Sequence, residues 1–420
     1  MKKVLVIGSG AREHALSWKI SQSSRVSKVY GAPGNAAIFE KYENVQISST
    51  DIEKLANFAL EEEIYLTVVG PEAPLALGVV DLFKSRNLPI FGPSKAAAKL
   101  ESSKIFSKMV MEEASVPTAR AKSFSDAKLA FEYIKKVGVP VVIKADGLAA
   151  GKGVYVCHAI EEALNAVSEC LESNRFGSSG SEILIEEFLP GKEASVMAII
   201  SGNNISMLPV SSDYKRIFDA DKGPNTGGMG SVSPSSVFPE SRLAEISDNL
   251  FLPIIKCLRD NHGIEYSGFL YAGLMVMPSG DYRVLEFNCR LGDPETQSLM
   301  LRVEEDFFEL MEKAVFAPDT LPPCVKLGNG TALTVVLASG GYPGTVHDGY
   351  IISGLDLVHD GVTVFHAGTE RKGLDIFSKG GRVLSVTGIG DSLSDVREAV
   401  YDSIKNINFS GMQFRKDIGH

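Results

Sequence analysis

The stretch Val284–Gln297, VLEFNCRLGDPETQ, decides the fold of this chain and most of its chemistry. Side chains alternate across a β-strand. The pattern therefore predicts an apolar face formed by Leu285, Phe287 and Cys289, and a polar face formed by Glu286, Asn288 and Arg290. Glu and Asn oxygens suit a hard cation such as Mg²⁺, and the adjoining guanidinium can stabilise a phosphoryl group in transfer. The alternative is an exposed strand face with a surface ion pair.

The residues after this strand form an acidic and basic rim. Gly292 and Pro294 predict a turn that leaves Asp293 and Glu295 near the predicted cation site. Ordinary turn chemistry explains each residue alone. A block of charges beside three polar strand residues is more typical of an active site.

A second glycine-rich stretch, Ile143–Tyr155 (IKADGLAAGKGVY), is flanked by the β-rich runs 141–143 and 154–156. It is not a Walker A loop, because Asp146 and Gly153 stand where that motif needs a glycine and a hydroxyl. The pattern predicts a hairpin whose tip approaches phosphate oxygens through the backbone of Gly147, Gly151 and Gly153, with charge from Lys144. The alternative is a hairpin without a ligand.

Composition narrows the class of protein. A chain of 420 residues is long enough for about three domains. The net charge of −10 argues against binding nucleic acid or anionic lipid through bulk electrostatics. No run of eighteen apolar residues is present, the five cysteines form no CxxC pair, and the seven histidines show no metal-ligand spacing. We expect a cytoplasmic protein with reduced thiols, no membrane partner and no nucleic-acid partner.

The order of predicted elements indicates an α/β and α+β multidomain fold. Buried strands that end in Gly8–Gly10, Gly70–Glu72 and Gly92–Pro93 alternate with helices and predict an N-terminal doubly wound parallel sheet. The expected domains are an N-terminal Rossmann-like substrate domain (1–102), a linker helix (103–120), a lid (121–190), an antiparallel central body (191–326) and a small C-terminal α+β domain (327–420). Within the body we expect a long helix near Arg242–Asn261.

The order of these motifs resembles the ATP-grasp superfamily. Lys104, Lys144 with its glycine loop, the Glu186–Leu189 run EEFL, Glu193 and the Glu286–Asn288 run EFN stand in that superfamily's order. The stretch Arg290–Gln297 is similar to the signature of the phosphoribosylamine–glycine ligase family. The likeness extends from Val4 to Gly419, nearly the whole chain.

The resemblance implies an ATP-dependent ligase of purine biosynthesis. Glycine's carboxylate would take the γ-phosphoryl group of ATP, and the amine of 5-phosphoribosylamine would attack the glycyl phosphate. The expected ATP contacts are Lys104, Lys144, Gly147, Gly151, Gly153, Glu186 (to the adenine amino group), Phe188, Leu189 and Glu193 (to the ribose). Mg²⁺ or Mn²⁺ would bind Glu286 and Asn288. The expected catalytic residues are Arg290, Lys215, Asp213 and Asp293.

For the two small substrates, the family likeness points to two further groups of residues. Asp213 would hold glycine's ammonium, and the loop residues Asn225, Thr226, Gly227, Gly228 and Gly230 would approach the sugar or the acyl phosphate. Residues at the carboxyl ends of the N-terminal strands are assigned to 5-phosphoribosylamine: Gly8, Gly10, Arg12, Glu13, Gly70, Pro71 and Glu72. The strand Tyr271–Met277 offers no further metal carboxylate, which weakens the case for a second metal ion.

Three rival functions are each consistent with part of the sequence. A dinucleotide-dependent oxidoreductase is disfavoured, because Glu13 occupies the third glycine position of GxGxxG. A carboxylase or another carboxylate–amine ligase would keep the fold and change the substrate. A nucleotide-binding protein without turnover should lack Arg290 or Glu286, and both are present. We expect a monomer that acts on small molecules.

Overall fold

The N-terminal region is an open parallel sheet. The computed structural model describes residues 1–148, 153–173 and 180–420. The first strands are β1 Lys2–Gly8, β2 Val26–Pro33, β3 Tyr42–Asn44, β4 Leu66–Val69 and β5 Ile90–Phe91. They pair in parallel in the order β3-β2-β1-β4-β5, which confirms the predicted doubly wound topology. Because Val4–Ile7 is wholly buried, Leu5 and Ile7 join one hydrophobic core while Val4 and Val6 join another on the opposite face.

Helices cover this sheet and lead out of it. They are α1 Ala11–Ser21, α2 Ile52–Glu61, α3 Glu72–Leu77, α4 Val79–Ser85, α5 Lys99–Ser102 and α6 Lys104–Glu113. Ser103 caps the N-terminus of α6, where its hydroxyl accepts the Phe106 N–H. Lys104 is the first residue of α6 and therefore lies at the start of the segment that leads to the lid.

The lid is a four-stranded antiparallel sheet with two helices. Its elements are β6 Ala121–Phe124, α7 Ala127–Val137, β7 Val141–Ala145, β8 Val154–Cys157, α8 Ile160–Leu171 and β9 Ile183–Glu187, with strand order β6-β9-β7-β8. The pairing of β7 with β8 confirms the predicted hairpin. Of its expected phosphate contacts, Gly147 and Gly153 are described, whereas Gly151 lies outside the described residues.

The body follows as an antiparallel sheet with a side hairpin. Its first strands are β10 Lys192–Ser201, β11 Asn204–Met207, β12 Ser212–Asp213, β13 Arg216–Phe218, β14 Lys222–Asn225 and β15 Gly230–Ser233. The remaining elements are α9 Leu243–Ile246, α10 Leu252–His262, β16 Ser267–Val276, β17 Tyr282–Asn288, α11 Glu295–Arg302 and α12 Phe307–Phe316. The main body sheet has the order β11-β10-β16-β17, and β13 pairs with β14.

The last region contains β18 Thr331–Ala338, β19 Ile351–Ile352, β20 Val362–His366, β21 Thr369–Lys372, β22 Asp375–Ser378, β23 Arg382–Gly390 and α13 Leu393–Asn406. One sheet has the order β12-β15-β18-β23-β20, and a smaller one the order β19-β22-β21. The first sheet joins body strands to C-terminal strands. The loop between β14 and β15 leads into this sheet, so residues of both the body (191–326) and the C-terminal region (327–420) hold it.

The long helix expected near Arg242–Asn261 is confirmed: helical residues run from Leu243 to His262, with a π turn at Ser247–Phe251 next to Pro253, which has no N–H to donate. One local prediction was wrong, for a physical reason. Leu285 does not join the core. The register shifts between Gly273 and Leu274, which pair with Glu286 and Val284, so Leu285 lies in a β-bulge and Val284 takes its place in the core.

Candidate active site

The lid, the body and parts of the N-terminal and C-terminal regions enclose a cavity of about 440 Å³. It brings together most of the residues that the sequence singled out. Those lining it are Arg12, Pro71, Glu72, Lys104, Lys144, Gly147, Gly153, Glu186, Phe188, Leu189, Glu193, Asp213, Lys215, Asn225, Thr226, Gly227, Glu286, Asn288, Arg290 and Asp293. Gly8, Gly10, Glu13, Gly70, Gly228 and Gly230 are not among the lining residues.

One end of the cavity is apolar and bounded by lysines. Its apolar lining comes from α6, the lid strands, the lid–body connection and the bulge: Met111, Val142, Val154, Val156, Phe188, Leu189 and Leu285. The Lys104 ammonium donates to the carbonyl oxygens of Ala145 (2.8 Å) and Gly147 (3.1 Å). The Lys144 ammonium donates to the Leu285 carbonyl oxygen at 3.0 Å, which ties β7 of the lid to β17 of the body. A flat apolar ring with a phosphate tail fits this combination of walls and cations.

Glu186 lies between two buried lysines at this end. Its Oε1 is 2.8 Å from the Lys108 ammonium and its Oε2 is 2.7 Å from the Lys144 ammonium. Burial would raise the pKa of the Glu186 carboxyl, but the two lysines lower it below its usual value. Lys108 also donates to the Thr118 hydroxyl and the Ala119 carbonyl. Glu186 is therefore ionised and joins α6 to the lid.

The polar face of β17 points into the cavity as predicted. Among the described residues, the Glu286 carboxylate has no hydrogen bond and no ion pair within 4.0 Å, although Lys215, Lys144 and Lys104 act on it at longer range. Burial alone would raise the pKa of this carboxyl, and these cations lower it. The Asn288 amide oxygen, next on the same face, accepts from Arg290 Nη2 at 2.9 Å. An ionised carboxylate without a direct partner beside an amide oxygen is a donor set that fits Mg²⁺ or Mn²⁺.

Arg290 is held by carboxylates that the sequence analysis did not assign to it. Its Nη2 is 3.0 Å from Oε1 of Glu101, and its Nε is 3.4 Å from Oε2 of Glu72. The other oxygen of Glu101 accepts the Cys289 N–H at 2.8 Å. These partners keep the guanidinium charged despite its burial and fix its plane beside Asn288. Burial raises the pKa of Glu101 even though Arg290 opposes that shift.

Asp213 also lines the cavity, and one of its carboxylate oxygens lacks a partner. Its Oδ1 is buried and has no hydrogen-bond partner among the described residues. Burial and the nearby Glu295 raise the pKa of Asp213 well above its usual value, while Lys215 acts in the opposite direction. Lys215 pairs with Glu193 at 2.7 Å. A ligand that donates hydrogen bonds at Asp213 would supply the missing partner and favour the ionised carboxylate.

The N-terminal glycine turn is filled by the side chain of Glu13. The Gly10 N–H donates to Glu13 Oε2 at 2.6 Å, and Arg12 Nε lies 2.5 Å from Glu13 Oε1. A Cβ atom on Gly8 or Gly70 would come within 2.4 Å or 2.2 Å of Glu13, so these glycines are required by its close approach. Arg12, Pro71 and Glu72 line the cavity, whereas the glycines contact a carboxylate in the place where a phosphate would be expected.

The glycine loop after β14 has a divided role. Asn225, Thr226 and Gly227 line the cavity. Gly228, at φ +107°, packs between Pro294 and Asp213, and a Cβ there would lie 2.3 Å from the proline ring. Gly230 lies in β15 against the Thr334 carbonyl and Ile418, outside the cavity wall.

Sequence reasoning missed the apolar lining of the cavity, including Leu285, and three charged residues of the site: Glu101, Lys108 and Arg382. Arg382 begins β23 and is 3.1 Å from Asp293 Oδ2. A charged residue on the inner side of a short helix was a weak signal for Glu101 and Lys108. No sequence spacing connects Arg382 with Asp293, because pairing across domains leaves no local pattern.

A separate group of polar residues lies outside the cavity. Donor atoms of Glu113, Cys257 and His262 lie within 4.8 Å of one another, although the histidine spacing gave no such indication. Glu113 Oε2 accepts from Cys257 Sγ (3.4 Å) and Asn261 Nδ2 (3.1 Å) and lies 2.9 Å from His262 Nε2. These hydrogen bonds account for the group as a link between α6 and α10. None of the five cysteines, all of which are described, forms a disulfide.

Comparison with known proteins places each region in one family. The phosphoribosylglycinamide synthetase N domain matches residues 2–101, the ATP-grasp (A) domain matches residues 102–296, and the C domain matches residues 332–420. Among the described residues, no helix has both the length and the apolarity needed to cross a bilayer.

Relatives agree with these matches over the full chain. The phosphoribosylamine–glycine ligase of Ralstonia nicotianae is 46% identical over 422 residues, which cover 100% of this chain and 99% of the relative. The crystal structure of phosphoribosylamine–glycine ligase from Thermotoga maritima is 33% identical with a TM-score of 0.85, covering 99% of this chain and 100% of that one. A biotin carboxylase–β,γ-ATP complex from Campylobacter jejuni is 18% identical with a TM-score of 0.75 and covers 100% of this chain and 94% of that chain. It shares the fold.

Proposed function

Since the chain belongs to the phosphoribosylglycinamide synthetase family, we propose that its cavity joins glycine to 5-phosphoribosylamine through a glycyl phosphate. The protein is an ATP-dependent carbon–nitrogen ligase of purine biosynthesis, and its products are glycinamide ribonucleotide, ADP and phosphate. A glycyl phosphate would supply the activation that the carboxylate of glycine needs. A carboxylate resists attack by an amine, whereas a mixed anhydride carries a good leaving group.

The nucleotide occupies the apolar, lysine-bounded end of the cavity in this proposal. The adenine ring packs between the lid residues and Leu285, and the backbone of Phe188 and Leu189 reads its edge. Lys104 and Lys144 contact the phosphates with the backbone of Gly147 and Gly153, and Gly151 joins them as a further expectation. Glu186 orients the two buried lysines through its ion pairs. Any contact of Glu186 with the adenine amino group uses a carboxylate lone pair that those ion pairs leave free.

Glu286 and Asn288 would hold the divalent cation. When bound, it would neutralise negative charge that develops during phosphoryl transfer. The Glu286 carboxylate, which has no direct partner among the described residues, supports this assignment. Both Mg²⁺ and Mn²⁺ accept these two oxygen ligands.

Arg290 provides fixed positive charge at the transferring group. Its guanidinium is held by Glu101, Glu72 and Asn288 before substrate arrives, so little reorganisation is needed during the reaction. Together with Lys104, Lys144 and Lys215 it faces the γ-phosphoryl group. Catalysis then consists mainly of positioning and electrostatic stabilisation.

Glycine binds beside the Asp213 carboxylate. Its ammonium donates to that carboxylate, and its own carboxylate points toward Lys215 and Arg290. The amine of 5-phosphoribosylamine attacks the acyl carbon and phosphate leaves. Arg12, Pro71, Glu72 and the Asn225–Gly227 loop border the space for the sugar phosphate, and Gly8, Gly10, Glu13 and Gly70 support Arg12 from behind.

Asp213 has a buried oxygen without a hydrogen-bond partner among the described residues, and it lines the same cavity as Lys104, Lys144 and Arg290; this is the observation that carries the proposal. We further propose that the ligase works as a monomer in the cytoplasm. The small-molecule substrates require no macromolecular partner.

ADP release tests the proposal directly. Purified protein with ATP and Mg²⁺ is assayed with both substrates and with glycine or 5-phosphoribosylamine omitted, and Glu286→Ala serves as the matched variant. Release that needs both substrates and is lost in the variant supports the reaction and the metal ligand together. Release with a different carboxylate, or with neither substrate, would discard the named reaction and keep the ATP-grasp fold.

A further inference from the structure

Arg382 extends from the C-terminal region into the wall of the cavity. It is the first residue of β23, and its Nη1 donates to the carbonyl oxygens of Gly227 (2.5 Å) and Asp293 (2.7 Å). Its Nη2 donates to the Asp293 carboxylate at 3.1 Å. One guanidinium therefore joins the glycine loop after β14 to the turn before α11.

These two segments pack against the Asp213 carboxylate. Gly228 follows Gly227 and fits between Asp213 and Pro294, with room for no side chain. Its ideal Cβ position is 2.9 Å from Asp213 Oδ1 and 3.2 Å from the Asp293 carbonyl oxygen. Any separation of the loop from the turn would shift the wall against which Asp213 packs. Tyr342, also from the C-terminal region, accepts the Gly227 N–H at 2.9 Å and supports the same loop.

We propose that Arg382 is a positioning residue for the glycine half of the site. It holds the loop and the turn together so that the Asp213 carboxylate keeps its place in the cavity wall, beside the substrate amine. The inference rests on the proposed function, since it takes glycine as the group at Asp213. The nucleotide half depends on other contacts, namely those of Lys104, Lys144 and Glu186, and none of these involves Arg382.

The test compares the KM for glycine with the Kd for ATP, because each constant reports on one half of the site. Arg382→Lys keeps a charge and loses the fork that contacts two segments at once. We expect the KM for glycine to rise roughly 10-fold to 100-fold, as loss of a charge-assisted hydrogen bond implies. The Kd for ATP, measured by titration calorimetry, should stay within about twofold by the same reasoning, because the nucleotide contacts are intact. In Arg382→Ala, added methylguanidinium should lower the KM for glycine again.

Arg371→Lys is the matched control. Arg371 is also a C-terminal arginine that donates to a carbonyl of another domain, here Ala36 at 3.2 Å, but it does not line the cavity. It should leave both constants unchanged. A normal KM for glycine in Arg382→Lys, or a parallel rise in the KM for glycine and the Kd for ATP, would overturn the inference. If wild-type turnover uses another carboxylate, that acid's KM replaces glycine's in the same comparison, so the proposed reaction and the role of Arg382 fail separately.

Discussion

Replacing Glu186 with glutamine should destabilise the lid far more than the same replacement at its neighbour Glu187. Glu186 is the only described carboxylate in ion-pair contact with Lys108 or Lys144, and all three side chains are less than 8% exposed. Glutamine keeps the shape and one carbonyl oxygen. It leaves two buried ammonium groups without a counter-charge.

The distances set the scale of the loss. At an effective dielectric constant of about 20, a pair of unit charges separated by the observed 2.7–2.8 Å attract by about 6 kcal/mol. Desolvation of the three groups and repulsion between the lysines cancel much of this attraction. Breaking a buried ion pair on one side costs about 3–5 kcal/mol in proteins. We expect Glu186→Gln to lower the free energy of unfolding of the lid by about that amount.

The loss should depend on pH. Burial lowers the pKa of Lys108 even in the native protein, where Glu186 opposes that shift. A lysine whose folded pKa is lowered destabilises the fold while it is charged, and the penalty disappears as pH rises from the folded pKa toward the unfolded value of 10.5. Without Glu186 the folded pKa of Lys108 falls further, so the pH range over which the penalty is relieved extends to lower pH. The difference between variant and native protein should therefore shrink at alkaline pH.

Hydrogen exchange measures this stability locally. The chain's single tryptophan, Trp18, lies in α1 and reports on the N-terminal region, so amide exchange in β7 and β9 is the better probe of the lid. Glu187→Gln is the control, because its partner Arg120 is largely exposed and surface pairs of this kind contribute little. Equal protection of β7 and β9 in the two variants would refute the reasoning about Glu186.

Three further predictions follow from the same geometry. Arg290→Ala should lower kcat by roughly 10²-fold or more with a modest change in the Kd for ATP, and near-normal turnover would remove Arg290 from phosphoryl transfer. Glu286→Ala should raise the Mg²⁺ concentration for half-maximal activity by roughly 10-fold or more, and an unchanged Mg²⁺ titration would reject it as a ligand. Burial lowers the pKa of His366 from 6.5 to about 4, so its contribution to stability should fall by about 3 kcal/mol between pH 6.5 and 4. His366→Gln should flatten that part of the unfolding profile, and identical profiles would contradict the shift.

The sequence was sufficient where a pattern is local. The buried run Val4–Ile7 and the glycine-rich hairpin each carry their signal within one element, and the structure has both. The polar alternation of β17 was also readable, because Glu286 and Asn288 are two residues apart on one strand. The bulge at Leu285 was not, since it depends on how β16 pairs with β17 and on no residue type in β17 itself.

Other features depend on contacts between distant segments. The glycine turn Gly8–Gly10 was interpreted as a ligand site because such turns lie at the ends of parallel strands. The structure fills it with Glu13, whose partner Arg12 then faces the cavity. Glu13, the residue that argued against a dinucleotide site in the sequence, fills the glycine turn where such a site would bind phosphate. The orientation of the Glu13 side chain is set by its contacts with the Gly10 N–H and Arg12, so it could not be derived from sequence spacing.

The charges of the cavity are consistent with a site that orients two substrates, the nucleotide and glycine. Glu186, Glu193, Glu101 and Asp293 are each matched to a lysine or arginine within 3.1 Å. Asp213 and Glu286 alone, among the described carboxylates assigned here to catalysis or metal binding, have neither a hydrogen bond nor an ion pair. An unmatched buried carboxylate is costly unless a ligand supplies the missing charge or donor. In the proposed function, Glu286 would bind a cation and Asp213 an ammonium, so glycine would enter with its carboxylate facing the nucleotide.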